Sequence, residues 1–303
     1  MITGATGFIG AHVAREATRR GAEVTLVSHR RHPQPSATHP VQSLRANLAE
    51  PESLPGLCDG VDVLLHCASQ IGGTPESNHA VNARGTAALV AEAQRAGVSR
   101  VVYLSTAAVY GRGTFRCARP ETLDRRPRSP TSRTRAEAED AVLAAGGIVL
   151  RPHLVLGRGD AWVVPGLTGL LRTLSCTPWG WETRHSVIAV SELAALVVAA
   201  GLAARTSLTA SVYHAARPEP VTASALLEAV ADRMAPPPAR QAMDFGRARE
   251  RLAGDGGAAH AWDMLATDHW FDSAPLWADV HREPGQEPPL ACMRDAYPAH
   301  AAA

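Results

Sequence analysis

The chain has 303 residues, 30 of them basic and 29 acidic, for a formal charge of +1, so it carries no electrostatic footprint for nucleic acid or an anionic membrane. All 30 basic residues are arginine and lysine is absent. That absence excludes Schiff-base and PLP chemistry, a P-loop, and the Tyr-x-x-x-Lys pair of many dehydrogenases. The accompanying wealth of Ala, Arg, Gly and Pro reads as a GC-rich coding bias, and drift accounts for most of the exchange of Lys for Arg.

The N-terminal stretch MITGATGFIG lacks the basic and apolar regions of a signal peptide, and the longest apolar run, Leu193 to Ala204, is too short to span a bilayer. A soluble, cytoplasmic protein with no membrane partner is expected. Only Met1 and Ile2 precede a glycine-rich loop, where a doubly wound fold needs a central strand of about 5 residues. The first strand therefore reads as truncated, and the expectation is a start lying upstream, since a missing central strand leaves ladder groups unpaired. A helix follows near Gly10 to Arg20, then strands at Glu23 to Ser28 and Val61 to His66 and a helix at Asn78 to Ala96. A strand at Arg100 to Ser105, a helix at Ser132 to Ala145 and a strand at Gly147 to Arg151 complete the regular half. These strands are apolar on both faces and alternate with Ala-rich helices, the pattern of βαβ units on a buried parallel sheet.

Two segments, Arg112 to Pro130, rich in Arg and Pro, and Arg158 to Arg184, rich in Gly, Pro and Trp, read as loops over a site. After Ala210 come a strand (SVYHAA), a helix at Ser224 to Met234, a proline run at Pro236 to Pro238 and a weakly periodic tail. The fold class is α/β, a Rossmann-like doubly wound parallel sheet with a smaller C-terminal substrate lobe. Residues 1–157 and about 187–215 form the first lobe, and about 158–186 and 216–303 the second.

The cysteines Cys58, Cys67, Cys117, Cys176 and Cys292 are odd in number and include no C-x-x-C, which fits reduced structural thiols. His260, Asp263, Asp268 and His269 follow no ligand spacing, and no metal is expected.

The loop TGATGFIG places Gly4, Gly7 and Gly10 as G-x-x-G-x-x-G directly before a helix. Such glycines permit a tight turn, let backbone amides approach a pyrophosphate, and allow close packing of helix on sheet. The next strand ends where an adenosine ribose is read. There the sequence has Ser28, His29, Arg30 and Arg31 instead of Asp or Glu, which favours a 2′-phosphate and hence NADP over NAD.

These residues resemble the extended short-chain dehydrogenase/reductase superfamily, in its NAD-dependent epimerase/dehydratase branch, over roughly Met1 to Ala231. The resemblance rests on TGATGFIG together with Asn47-Leu48, HCAS at His66 to Ser69, NARGT at Asn82 to Thr86, LSTAAVYG at Leu104 to Gly111, RPHLVLG at Arg151 to Gly157 and VIAVSELA at Val187 to Ala194. It implies a cofactor held by Gly4, Thr6, Gly7, Phe8, Ile9, Gly10, Asn47, Leu48, Cys67, Ala68, Ser69, Asn82, Arg135, Pro152 and His153. It also implies a monomer or homodimer, with a small-molecule substrate in the cleft between the lobes.

The family's chemistry uses a Ser or Thr that holds the substrate oxygen, a Tyr that passes a proton and a Lys that lowers the Tyr pKa. On the motif, Thr106 beside Ser105 takes the first position, while Thr131 stands in the place of the Tyr and Arg135 in the place of the Lys. The chain is thus an atypical member. Drift explains Arg135 but not Thr131, whose aliphatic hydroxyl cannot replace a phenol of pKa about 10. Losing the acid costs on the order of 10²–10⁴ in rate. Ser105, Thr106, Tyr110, His153 and His185 are the candidate substitute donors. A substrate that supplies its own acid is preferred: an aromatic polyketide, angucyclinone-like ketone hydrogen-bonded by a neighbouring phenol, with Trp162, Trp179 and Trp181 available to stack on a flat polycycle. The alternatives are a non-catalytic NADP-binding sensor or scaffold and, third, a nucleotide-sugar epimerase.

Overall fold

A computed structural model describes residues 1–29, 41–204, 206–242 and 244–297. The strands are β1 (Ile2–Thr3), β2 (Val24–Ser28), β3 (Val41–Arg45), β4 (Val63–His66), β5 (Arg100–Leu104), β6 (Phe115–Ala118), β7 (Ile148–Arg151), β8 (Leu154–Leu156), β9 (Thr177–Trp179), β10 (Arg184–His185), β11 (Val187–Ala189), β12 (Val212–His214), β13 (Val221–Thr222), β14 (Arg240–Ala242) and β15 (His269–Phe271). The helices are α1 (Phe8–Arg19), α2 (Pro75–Asn78), α3 (Thr86–Arg95), α4 (Pro130–Ala144), α5 (Val163–Leu174), α6 (Val190–Leu202), α7 (Ala223–Ala231), α8 (Phe245–Leu252), α9 (Gly256–Leu265), α10 (Ala274–Asp279) and α11 (Cys292–Ala296).

A seven-stranded sheet in the order β12-β7-β5-β4-β1-β2-β3 forms the body, with parallel pairing throughout. Successive residues of its strands enter opposite cores: Leu65, Val102 and Leu150 meet α1 and α6 on one face, while Leu64, Val101 and Val149 meet α3 and α4 on the other. Burial on both faces is why these strands read as continuous apolar runs. The doubly wound α/β fold expected from the sequence is the fold observed.

β1 has two residues, and both pair on both sides. Ile2 pairs with Leu26 and Leu65, Thr3 pairs with Val27 and His66, and the Met1 amine donates to the Val63 carbonyl at 2.7 Å. Short of Ile2 the pairing stops: Val24 and Thr25 of β2 have no β1 partner, and a cavity of about 650 Å³ lined by Val24, Thr25, Asp62 and Val63 lies between β2 and β4, in keeping with a truncated first strand.

The expected helix from Asn78 starts earlier, at Pro75, and runs through a π-helical turn at His79–Gly85 before α3. Neither presumed loop is structureless. The first contains β6, whose neighbouring arginines reach the far segment of the chain: Arg112 to Asp263, Arg116 to Asp268 and Arg119 to Asp272. The second contains α5, which buries Val164, Leu167, Leu170, Leu171 and Leu174 along one stripe. With α7, α8 and α9, that stripe forms the core of a second packing unit, which also includes Trp181 and Trp262. Leu276 and Trp277 of α10 return to the core beneath the large sheet, packing with Leu193 and Val197 of α6.

Among the described residues no helix is long and apolar enough to cross a membrane. None of their His, Cys, Asp and Glu side chains are grouped to hold a metal ion.

Candidate active site

The loop between β1 and α1 is shaped by its glycines. Gly4 has φ of 69°, and a Cβ there would lie 2.6 Å from the Ala68 amide nitrogen; a Cβ on Gly10 would lie 2.1 Å from the Gly4 carbonyl oxygen. Only glycine permits this crossing of chain on chain. Gly7 is the N-cap of α1 and offers no side chain to the helix's first amides. Those amides and the helix dipole are left to an anion.

Two cavities meet at this loop. One, of about 660 Å³, is lined by Gly4, Ser28, His29, Asn47, Leu48 and Ala68; the other, of about 670 Å³, by Phe8, Ile9, Gly10, Ser105, Thr106, Arg135, Pro152 and His153. Thr6, Gly7, Cys67 and Ser69 line both. Nearly every expected cofactor residue therefore faces one continuous cleft. Arg30 and Arg31 lie outside the described residues. Asn82 is buried and does not line either cavity; its side chain accepts from the Gln70 amide at 2.8 Å and donates to the Gln70 carbonyl at 3.0 Å, so it braces the loop that does. The uncapped amides and the glycine cradle fit a dinucleotide pyrophosphate, and an orphaned guanidinium nitrogen described next fits the other half of such a cofactor.

Arg135, on the second turn of α4, is 9% exposed. It donates from Nη2 to the Leu104 carbonyl, and its buried Nε has no partner. Among the described residues it forms no ion pair with a carboxylate. A buried cation with a free donor at a cavity wall is costly unless something polar occupies the cavity.

Thr131 does not line the cleft. Its hydroxyl donates to Asn78 Oδ1 at 2.9 Å, so the position of the usual tyrosine holds a short side chain whose proton is already used. Tyr110 is likewise removed from the cleft: it is 1% exposed, accepts from Arg151 Nη1 at 2.7 Å and donates to His214 Nε2 at 2.7 Å. Burial raises its pKa, opposed by the Arg151 guanidinium.

Ser105 lines the cavity, but its hydroxyl donates to Glu139 Oε1 at 2.5 Å. Glu139 is fully buried and also accepts from Arg151 Nε at 2.9 Å and Nη2 at 2.5 Å and from Arg125 Nη1 at 3.3 Å. Thr106 differs: its oxygen accepts the Ala108 amide at 3.2 Å, leaving the hydroxyl proton free for a ligand.

His153 stacks on His269, with ring centroids 5.5 Å apart, and on His185 at 6.1 Å; its buried Nε2 has no partner. Burial, reinforced by the other histidines, holds its pKa well below the ordinary 6.5, and burial pushes His185 down to about 4. Both rings are neutral near pH 7, so neither stores an acidic proton. Of the tryptophans, Trp162 is 62% exposed and lines the second cavity, Trp179 is exposed outside it, and Trp181 is 1% exposed in the second core, 4.6 Å from Trp262. Trp181 is thus a packing residue.

The cavity's outer wall comprises residues that the motifs did not single out: Arg15 and His12 on α1, and Arg158, Gly159 and Ala161 on the loop after β8. Arg158, Gly159 and Ala161 open the segment expected to be a loop over a site, whereas Arg15 and His12 carry no signal beyond α1's polar side, which a cofactor motif does not assign. The Tyr297 hydroxyl holds that loop, accepting from the Gly157 amide at 3.1 Å and lying 2.9 Å from both the Gly157 carbonyl and Asp160 Oδ2.

Fold, glycine cradle and cleft define a nicotinamide-dinucleotide enzyme. The chain belongs to the NAD dependent epimerase/dehydratase family, whose sequence profile matches residues 1–216. It is 28% identical to a 2-alkyl-3-oxoalkanoate reductase of Stenotrophomonas maltophilia over 312 residues, covering 92% of each chain. It is 31% identical over 183 residues to a 4-hydroxy-2-methyl-3-oxo-4-farnesyl-3,4-dihydroquinoline-1-oxide ketoreductase of Stigmatella aurantiaca, covering 57% of this chain and 55% of that one. Among solved structures, a Thermus thermophilus UDP-glucose 4-epimerase in complex with NAD shares the fold with a TM-score of 0.72 at 22% identity, covering 99% of each chain. A Bordetella bronchiseptica enzyme in complex with NAD+ does so with 0.75 at 20%, covering 98% of this chain and 95% of that one. The chain is an oxidoreductase of this family.

Proposed function

We propose that the protein is an NADPH-dependent ketoreductase that acts on an aromatic polyketide, angucyclinone-like ketone in antibiotic biosynthesis, without a tyrosine acid and with assistance from a phenol of the substrate. The observation that carries this reading is the composition of the second cavity: a buried guanidinium with an unused Nε and no carboxylate partner (Arg135), the uncommitted Thr106 hydroxyl proton, neutral histidine and, among the described residues, no phenol. Relatives named as ketone reductases support the reaction class, one of them named for a 3-oxo group within a fused ring system.

In this mechanism Gly7 and the α1 amides would hold the pyrophosphate, Ser28 and His29 would receive the adenosine ribose, and Arg135 would bind the nicotinamide half. When bound, the cofactor supplies a hydride to the carbonyl carbon. Thr106 donates a hydrogen bond to the ketone oxygen. The fixed charge of Arg135, itself buried at the cleft wall, favours the negative charge that grows on that oxygen. The adjacent phenol of the substrate passes its proton to the new alkoxide, and the phenolate is reprotonated by water. The open cleft and exposed Trp162 fit a flat substrate and disfavour the sensor reading, which needs no such space.

The test follows NADPH oxidation with a polycyclic peri-hydroxy ketone and with its O-methyl ether. The free phenol should turn over at least 100-fold faster. Equal rates refute substrate assistance, and no turnover of either ketone refutes the ketoreductase assignment.

A further inference from the structure

The second cavity is not exhausted by the proposed chemistry. Among the described residues its lining holds Arg15, Arg135 and Arg158 and no acidic side chain. The acids nearest in sequence are engaged elsewhere. Glu16, beside Arg15 on α1, takes Arg19 at 2.8 Å and Arg20 at 2.7 Å. Asp160, on the same loop as Arg158, caps α5 through the Trp162, Val163 and Val164 amides and bonds the Tyr297 hydroxyl. Among the described residues neither Arg15 nor Arg158 has a carboxylate partner. Both are exposed at the mouth, and the loop bearing Arg158 is pinned to α1 by the His12 ring, whose Nε2 lies 3.2 Å from the Arg158 carbonyl oxygen. That bond ties the stretch of wall that carries Arg158 to the one that carries Arg15.

The cofactor has no use for this pair. Its pyrophosphate belongs at Gly7, and at 1.5 Å per residue Arg15 stands about 12 Å further along the helix axis. A 2′-phosphate belongs beside Ser28 and His29, in the other cavity. A third place for negative charge, on the substrate side and next to the exposed Trp162, is left for the substrate.

We propose that Arg15 and Arg158 bind an anionic group, a carboxylate, carried by the ketone substrate on the arm opposite its reacting carbonyl. The inference rests on the ketoreductase reading and names the substrate class for it: an aromatic keto acid instead of a neutral ketone. The pair selects by charge, so its contribution lies in KM and weakens with salt.

Turnover is compared for a peri-hydroxy polycyclic ketone bearing a carboxylate side arm and for its methyl ester, in the parent protein and in R15Q/R158Q. The acid should be favoured over the ester by about tenfold or more in kcat/KM, chiefly through KM, and the preference should shrink between 20 and 500 mM salt, where screening shortens from roughly 20 to 4 Å. In R15Q/R158Q the acid-to-ester ratio should fall close to one. A ratio near one in the parent protein, or a ratio that survives both substitutions, overturns the inference. A second measurement keeps it separate from the chemistry: calorimetric binding of anthraquinone-2-carboxylate and its methyl ester. If both ketones go unreduced while the carboxylate alone binds and loses that advantage in R15Q/R158Q, the ketoreductase reading fails and the anion site stands. Equal binding of carboxylate and ester removes the site.

Discussion

Replacing Glu139 by Ala removes the common acceptor of four donors, and the loss should be among the largest any single residue can cause. Glu139 is fully buried and Arg151 is 5% exposed; without the carboxylate, Arg151 keeps only the Tyr110 oxygen, and Ser105 loses its bond. Breaking a buried pair by removing one partner costs about 3–5 kcal/mol, a large share of the roughly 5–15 kcal/mol that holds a folded chain. Removing both charges is different in kind, because the uncompensated cation disappears with them. Glu139→Ala/Arg151→Met should therefore lose less than the sum of its single variants, by at least about 1 kcal/mol. Urea unfolding followed by far-ultraviolet circular dichroism measures all four corners of this cycle. A Glu139→Ala variant within 1 kcal/mol of the parent, or strict additivity in the double variant, would refute the argument that the network is bound by its buried charge pair.

Acid should destabilise the fold early. His66 and His214 are held at about 3 and His185 at about 4 by burial. Below pH 6.5 the unfolded chain takes up protons that the folded chain refuses, so stability is full above 6.5 and falls as pH drops toward 4, by up to about 1.4 kcal/mol per pH unit for each histidine. A urea midpoint unchanged between pH 7 and 5 contradicts this. Thr131→Tyr should raise reduction of the O-methyl ether by roughly 100-fold, the worth of an installed acid, and change the free phenol little; no gain on the ether means the missing tyrosine is not what limits it. His29→Asp should shift the NADPH-over-NADH preference in kcat/KM toward NADH by about tenfold or more, and an unchanged ratio would remove His29 from ribose recognition.

The sheet was legible because parallel strands buried on both faces leave uninterrupted apolar runs, and Leu64-Leu65, Val101-Val102 and Val149-Leu150 serve opposite cores. α5 escaped notice although Val164, Leu167, Leu171 and Leu174 keep helical spacing, since Pro165, Gly166 and Gly169 gave the segment a loop's composition. The cofactor cradle was readable from its glycines because backbone crossing leaves no alternative residue. Side-chain commitments were not. Nothing in the spacing of Ser105, Thr131 and Tyr110 tells that Glu139, Asn78 and His214 already hold their hydroxyls. Those partners lie 34, 53 and 104 residues away, beyond the reach of local pattern.

The tie from Tyr297 to Gly157 spans 140 residues and bears on synthesis as well as on shape. During translation the cofactor loop, the large sheet and the cleft's inner wall all emerge before the tyrosine that fastens the loop at its mouth. At about 5–20 residues per second, several seconds separate the two ends of that bond. Leu276 and Trp277, which complete the core shared with α1 beneath the sheet, emerge just ahead of that tyrosine, so the nucleotide cradle and the cleft mouth are both finished only when the C-terminal segment leaves the ribosome.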